Sequence, residues 1–117
     1  MHDLEEKMEI RDKLYKYNNP IITKTINIDD SIYNKFKDLS EKVYDATISE
    51  IMNVAIEEYI KRDKPNFYGK SENETVTYRS IRLRRLNVNK LNEYSRKTGI
   101  SFTRLVNGAL KEFLDNQ

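Results

Sequence analysis

With 117 residues the chain has the length of one domain, enough for a modest core without covalent staples. It holds no cysteine and a single histidine, His2, which excludes disulfides, thiolate metal sites, cysteine nucleophiles, His-based triads and multi-histidine metal centres. No apolar run approaches the roughly 18 residues of a membrane span, and the charged start MHDLEEKMEIRDK has no signal-peptide character. The expected setting is therefore soluble and cytoplasmic, with no membrane partner.

Charge is informative by segment. Residues 1–19 sum to −1, residues 20–64 to −2 and residues 65–117 to +5. The net +2 thus conceals a basic C-terminal half, which points to a polyanionic partner.

In chain order, residues 1–19 form an N-terminal extension, helical or disordered, with Leu4, Met8, Ile10 and Leu14 scattered over it and Asn18-Asn19-Pro20 closing it. A first motif occupies 20–62. Alternation around Ile26 and Ile28 predicts a strand at 21–28. Asp29 or Asp30 caps a helix carrying Ile32, Phe36, Leu39 and Val43. Thr47-Ile48-Ser49-Glu50 fits a capping box and opens a second helix. Residues 63–75, with Pro65 and Gly69, read as a linker. A second motif fills 76–117, with a strand at 76–83, a helix capped by Asn87 and running through Lys97, and Gly99 as a left-handed stop. Ser101 then caps a last helix.

The two motifs are copies. A shift of 55 lays Thr23–Ile28 on Tyr78–Leu83 and Lys35-Phe36 on Lys90-Leu91. After one residue is lost in a turn, a shift of 54 pairs Ile48, Ile51, Met52, Ala55, Ile56, Tyr59 and Ile60 with Phe102, Leu105, Val106, Ala109, Leu110, Phe113 and Leu114. Their 3,1,3,1 spacing marks a helix with a broad buried stripe, and Asn53/Asn107 and Glu58/Glu112 are identical besides.

A lone strand leaves both edges unpaired, so strand 21–28 is expected to pair antiparallel with strand 76–83. If Ile26, Ile28, Ile81 and Leu83 point inward, Thr23, Thr25, Asn27, Tyr78, Ser80 and Arg82 face outward. A two-stranded ribbon fits the major groove of B-DNA, where Asn reads adenine and Arg reads guanine bidentately. The hydroxyl-capped helix starts, Thr47–Ser49 and Ser101–Thr103, favour phosphate. Arg84 and Arg85 stand between phosphate contact and plain solubility. No nucleophile–base constellation or phosphate-cradling glycine loop is visible. Asp29-Asp30 reads as capping rather than acid–base chemistry, so no catalytic residue, metal, cofactor or small-molecule substrate is expected.

Ile81-Arg82-Leu83, Lys90-Leu91, Lys97-Thr98-Gly99, Ser101 and Thr103-Arg104-Leu105-Val106 resemble the ribbon-helix-helix pattern of the Arc and MetJ repressor class. The first copy is similar through Ile26-Asn27-Ile28 and Ser49-Glu50-Ile51. The resemblance implies a mainly α fold with a two-stranded antiparallel β-ribbon, a tandem β-α-α-β-α-α chain forming a pseudo-two-fold single-chain dimer. It also implies a transcription regulator that binds double-stranded DNA and associates with further chains on it. Bases would be met by the six outward residues, and phosphates by Thr47, Ile48, Ser49, Ser101, Phe102, Thr103 and Arg104. The fused form is similar to regulators encoded by some archaeal viruses, for which the setting is the host cytoplasm. Three departures stand out: Arg84-Arg85 where the family has Pro and acids, Asn87 where an apolar residue is usual, and Arg104 in place of the acid found at Glu50. The alternative function is an antitoxin-type protein-interaction module that neutralises a partner protein. The last helix is expected to run to within a few residues of Gln117 without the family's toxin-wrapping C-terminal tail, which leaves residues 1–19 as the candidate arm.

Overall fold

Alternation around Ile26 and Ile28 makes Ile21–Asp29 a strand, β1, and that around Ile81 and Leu83 makes Val76–Arg84 its partner, β2. The structure, a computed structural model, describes residues 20–62 and 75–117; the N-terminal extension at 1–19 and nearly all of the expected linker lie outside them. After β1 come helices α1, Asp30–Lys42, and α2, Ile48–Lys61. After β2 come α3, Arg85–Thr98, and α4, Phe102–Asp115. The chain is thus mainly helical, with four described helices and one two-stranded antiparallel sheet in the order β-α-α-β-α-α.

The register brings one pair of equivalent positions face to face at the centre of the ribbon: Thr25 opposes Ser80, which the 55-residue shift also equates with it. The strand-to-helix corners repeat as well. Asp30 N–H donates to Thr75 O and Arg85 N–H to Pro20 O, both at 2.9 Å. Each corner thereby satisfies an amide that its own helix leaves unpaired.

The inner ribbon face seals the core. Ile26, Ile28, Ile81 and Leu83 are buried against Phe36, Met52, Ile56, Leu91, Val106 and Leu110. The long stripes of α2 and α4 point inward as their spacing requires, with Ile51, Ala55, Tyr59, Leu105, Ala109 and Phe113 also buried. Phe36 and Phe113 add a tilted ring contact with centroids 5.7 Å apart.

Caps decide where the helices begin and end. Thr47 Oγ1 accepts from Glu50 N–H and donates to Glu50 Oε1, both at 3.1 Å, so the N-cap half of the expected box forms, while the Glu50 carboxylate meets the Thr47 hydroxyl rather than its backbone N–H. Ser101 accepts from Arg104 N–H at 3.2 Å. Gly99 stops α3 at φ 74°, a left-handed conformation that favours glycine.

Three expectations need correction. Asp29 occupies the N-cap position of α1, yet its side chain makes no capping bond. Val43 lies past the last turn of α1 and is 62% exposed, so it is no part of the core. Asn87 does not cap α3: Arg84 holds that position, and Asn87 sits buried in the first turn, bonded to Asn53. α3 starts at Arg85, the equivalent of Asp30, which turns Asn87 inward where Ile32 stands in the other copy.

Candidate nucleic-acid interface

The parity of the strands carries the six outward residues onto one face as three cross-ribbon pairs: Thr23 with Arg82, Thr25 with Ser80 and Asn27 with Tyr78. All are exposed except Asn27, which is half-buried. The two hydroxyls at the centre, Thr25 Oγ1 and Ser80 Oγ, lie 3.0 Å apart. Tyr78 is 69% exposed, unusual for so large a ring.

Each end of this face is held by a helix from the opposite copy. Asn53 of α2 donates its amide to Arg82 O at 3.0 Å and accepts from Arg84 N–H at 2.9 Å. Asn107 of α4 repeats the clamp on the other strand, donating to Asn27 O at 2.9 Å and accepting from Asp29 N–H at 3.1 Å. Both amides also donate to the carbonyl one turn back, Ser49 O and Thr103 O, which fixes their rotamers. Ser49 Oγ accepts from Arg82 N–H at 3.2 Å. The first turn of α2 therefore abuts the ribbon at Arg82 through Ser49, and α4 reaches it at Asn27 through Asn107 in its second turn. The identity of Asn53 and Asn107 was visible in the sequence, but not that each reaches across to the other copy's strand.

The phosphate candidates follow the helix starts. Thr47, Ile48 and Ser49 form the N-terminus of α2, and Ser101, Phe102, Thr103 and Arg104 that of α4. The two ends differ in charge, with Glu50 in the first turn of α2 and no acid in that of α4. Lys24 Nζ stands 5.7 Å from the Phe102 ring centroid, which brings a second cation to the α4 end.

The four clustered arginines have separate fates. Arg79 points inward, stacks 3.7 Å from the Tyr33 centroid and pairs with Asp30 Oδ1 at 3.1 Å. Arg84 is engaged by Glu57 Oε1 at 2.6 Å. Arg85 opens α3 and is exposed. Arg82 alone of the four lies among the outward base candidates, exposed and without an ion pair to a described residue. The Asp30 carboxyl is held below its ordinary range by the Thr77 hydroxyl first, then by Thr75, with Arg79 contributing and burial opposing.

No protein-family model, curated protein or solved structure matches this chain. Among the described residues, no helix is long and apolar enough to cross a membrane.

Proposed function

We propose that this chain is a sequence-specific double-stranded DNA-binding transcription regulator, built as a fused pair of ribbon-helix-helix motifs related by a pseudo-two-fold axis. The observation that carries this reading is the exposed ribbon face. It gathers hydroxyl, amide, phenol and guanidinium side chains in three facing pairs, with a helix N-terminus against each edge. An exposed polar face of this width matches the major groove, which admits a two-stranded ribbon and presents a distinct donor–acceptor pattern for each base pair. The helix starts supply backbone N–H groups toward phosphate. The excess positive charge of residues 65–117 supplies the long-range attraction. Binding, with no chemical step, is the activity, and further chains assemble beside the first on the duplex.

The test is fluorescence anisotropy on duplexes from the DNA flanking the protein's own gene, each against a scrambled duplex, at two salt concentrations. Specific regulators bind roughly 10³–10⁷ times tighter to their own site than to other DNA. Equal affinity for native and scrambled duplexes, or none for either, overturns the proposal.

A further inference from the structure

The two ends of the ribbon face are chemically different, and both strands belong to one chain. At one end Arg82 faces Thr23; at the other Asn27 faces Tyr78. Positions 27 and 82 are equivalents under the 55-residue shift, as are 23 and 78 and 25 and 80, and none of these three outward pairs is identical. A regulator made of two identical chains presents the same side chains at both ends. This chain cannot.

We infer that the ribbon reads an asymmetric duplex in one fixed orientation, with a guanine beneath Arg82 and an adenine beneath Asn27; this rests on the DNA-binding reading above. The identities follow from donor geometry. A guanidinium donates twice to guanine O6 and N7, whereas an amide both donates and accepts and so matches adenine N7 and N6. The spacing follows from the register. Asn27 opposes Tyr78, four residues before Arg82 on the same strand. At ~3.3 Å per residue that separation is ~13 Å, which spans about four base-pair steps at ~3.4 Å each.

The flanking helices reinforce the polarity. Asn27 is clamped by α4, whose first turn carries Arg104 and no acid, while the Arg82 edge is clamped by α2, whose first turn carries Glu50. The end with the stronger base reader thus has the less cationic phosphate contact, and the reverse holds at the other end. Turning the duplex around would place both readers on the wrong bases at once.

Selection of the full-length protein against a randomised duplex pool tests this, followed by competition between the selected site and its two palindromic derivatives, each made by doubling one half. The selected site should be non-palindromic and should outcompete both derivatives by roughly tenfold or more, since a mismatched base pair typically costs about 1–3 kcal/mol. Arg82→Asn should turn the preference toward the adenine-type palindrome, and Asn27→Arg toward the guanine-type one. A palindromic wild-type consensus, or an unchanged consensus in both variants, overturns the asymmetric reading while leaving DNA binding intact. No enrichment of any duplex overturns the DNA-binding reading itself, and this inference with it.

Discussion

Asn87 donates its side-chain amide to Asn53 Oδ1 at 3.0 Å, a buried bond with no counterpart in the other copy, where Ile32 stands in its place. Asn53 is therefore the more heavily committed of the two clamps. Its Oδ1 also accepts from Arg84 N–H, and its amide serves Ser49 O and Arg82 O. Leaving a buried polar group unsatisfied costs about 1–3 kcal/mol. Asn53→Ala should thus destabilise by roughly 2–4 kcal/mol, and by more than Asn107→Ala. Asn87→Ile, which copies the other half, leaves Oδ1 bonded to Arg84 and should change stability by under about 1 kcal/mol. Urea melts of the three variants check the order.

The matched stripes make a simpler statement about the core. Ile56 and Leu110 are equivalents and both are fully buried. Each truncation to alanine should cost about 2–5 kcal/mol, seen as a lower denaturation midpoint with an unchanged slope.

Acid stability should report on Asp30. Its folded carboxyl titrates below the ordinary 3.8 because the ionised form accepts from Thr77, at 2.8 Å, and from Thr75 and Arg79. A depressed folded value means the carboxylate stabilises the fold above the unfolded value, and that this contribution is lost as pH falls through the folded one. Asp30→Asn should therefore flatten the loss of stability below about pH 4, and Thr77→Val should flatten it partly. Melting temperatures between pH 2 and 6 give the readout.

Pairing within one chain has a direct chemical test. Arg82 turns both its N–H and its carbonyl off the ribbon to α2, so by parity Thr25 and Ser80 form a non-hydrogen-bonded pair. Cα atoms at such pairs lie about 4.5 Å apart, inside the disulfide range of about 4.4–6.8 Å. The double variant Thr25→Cys, Ser80→Cys should close within monomers in dilute solution. Covalent dimers alone would show that the ribbon forms between chains.

On DNA, two arginines should behave differently. Arg82→Ala should cost roughly 1–3 kcal/mol on the preferred duplex and relax one or two base positions. Arg104→Ala, at the start of α4, should weaken all duplexes alike and lower the salt slope by about one. Equal losses for Arg82→Ala on preferred and scrambled duplexes would leave the ribbon as a positioning surface.

Local patterns carried the fold into the sequence because each is readable within a few residues. Alternation at Ile26, Ile28, Ile81 and Leu83 placed the strands, and the apolar spacing of Ile51 to Ile60 placed the inner face of α2. The same alternation sorted Thr23, Thr25 and Asn27 onto the outer face. Contacts set by tertiary approach were not legible. Arg79 looks like one of four surface cations until the aromatic ring of Tyr33 is brought beneath it. Asn87 resembles a cap because its destiny depends on Asn53, 34 positions away. Val43 fits a helical spacing that the chain abandons at Lys42.

The clamp from Asn107 reaches Asn27 across 80 positions, and this has a consequence for the chain as it is being made. At about 5–20 residues per second of synthesis, β1 waits on the order of ten seconds before the residue that seals its edge has been added. Through that interval IITKTINI is an isoleucine-rich segment with an open edge, the kind of window that nucleates aggregation. Lys24 interrupts its inner row between Ile22 and Ile26. In the finished protein this lysine lies beside Phe102; in the nascent segment it is the one charge, placed as a charge must be to break such a window.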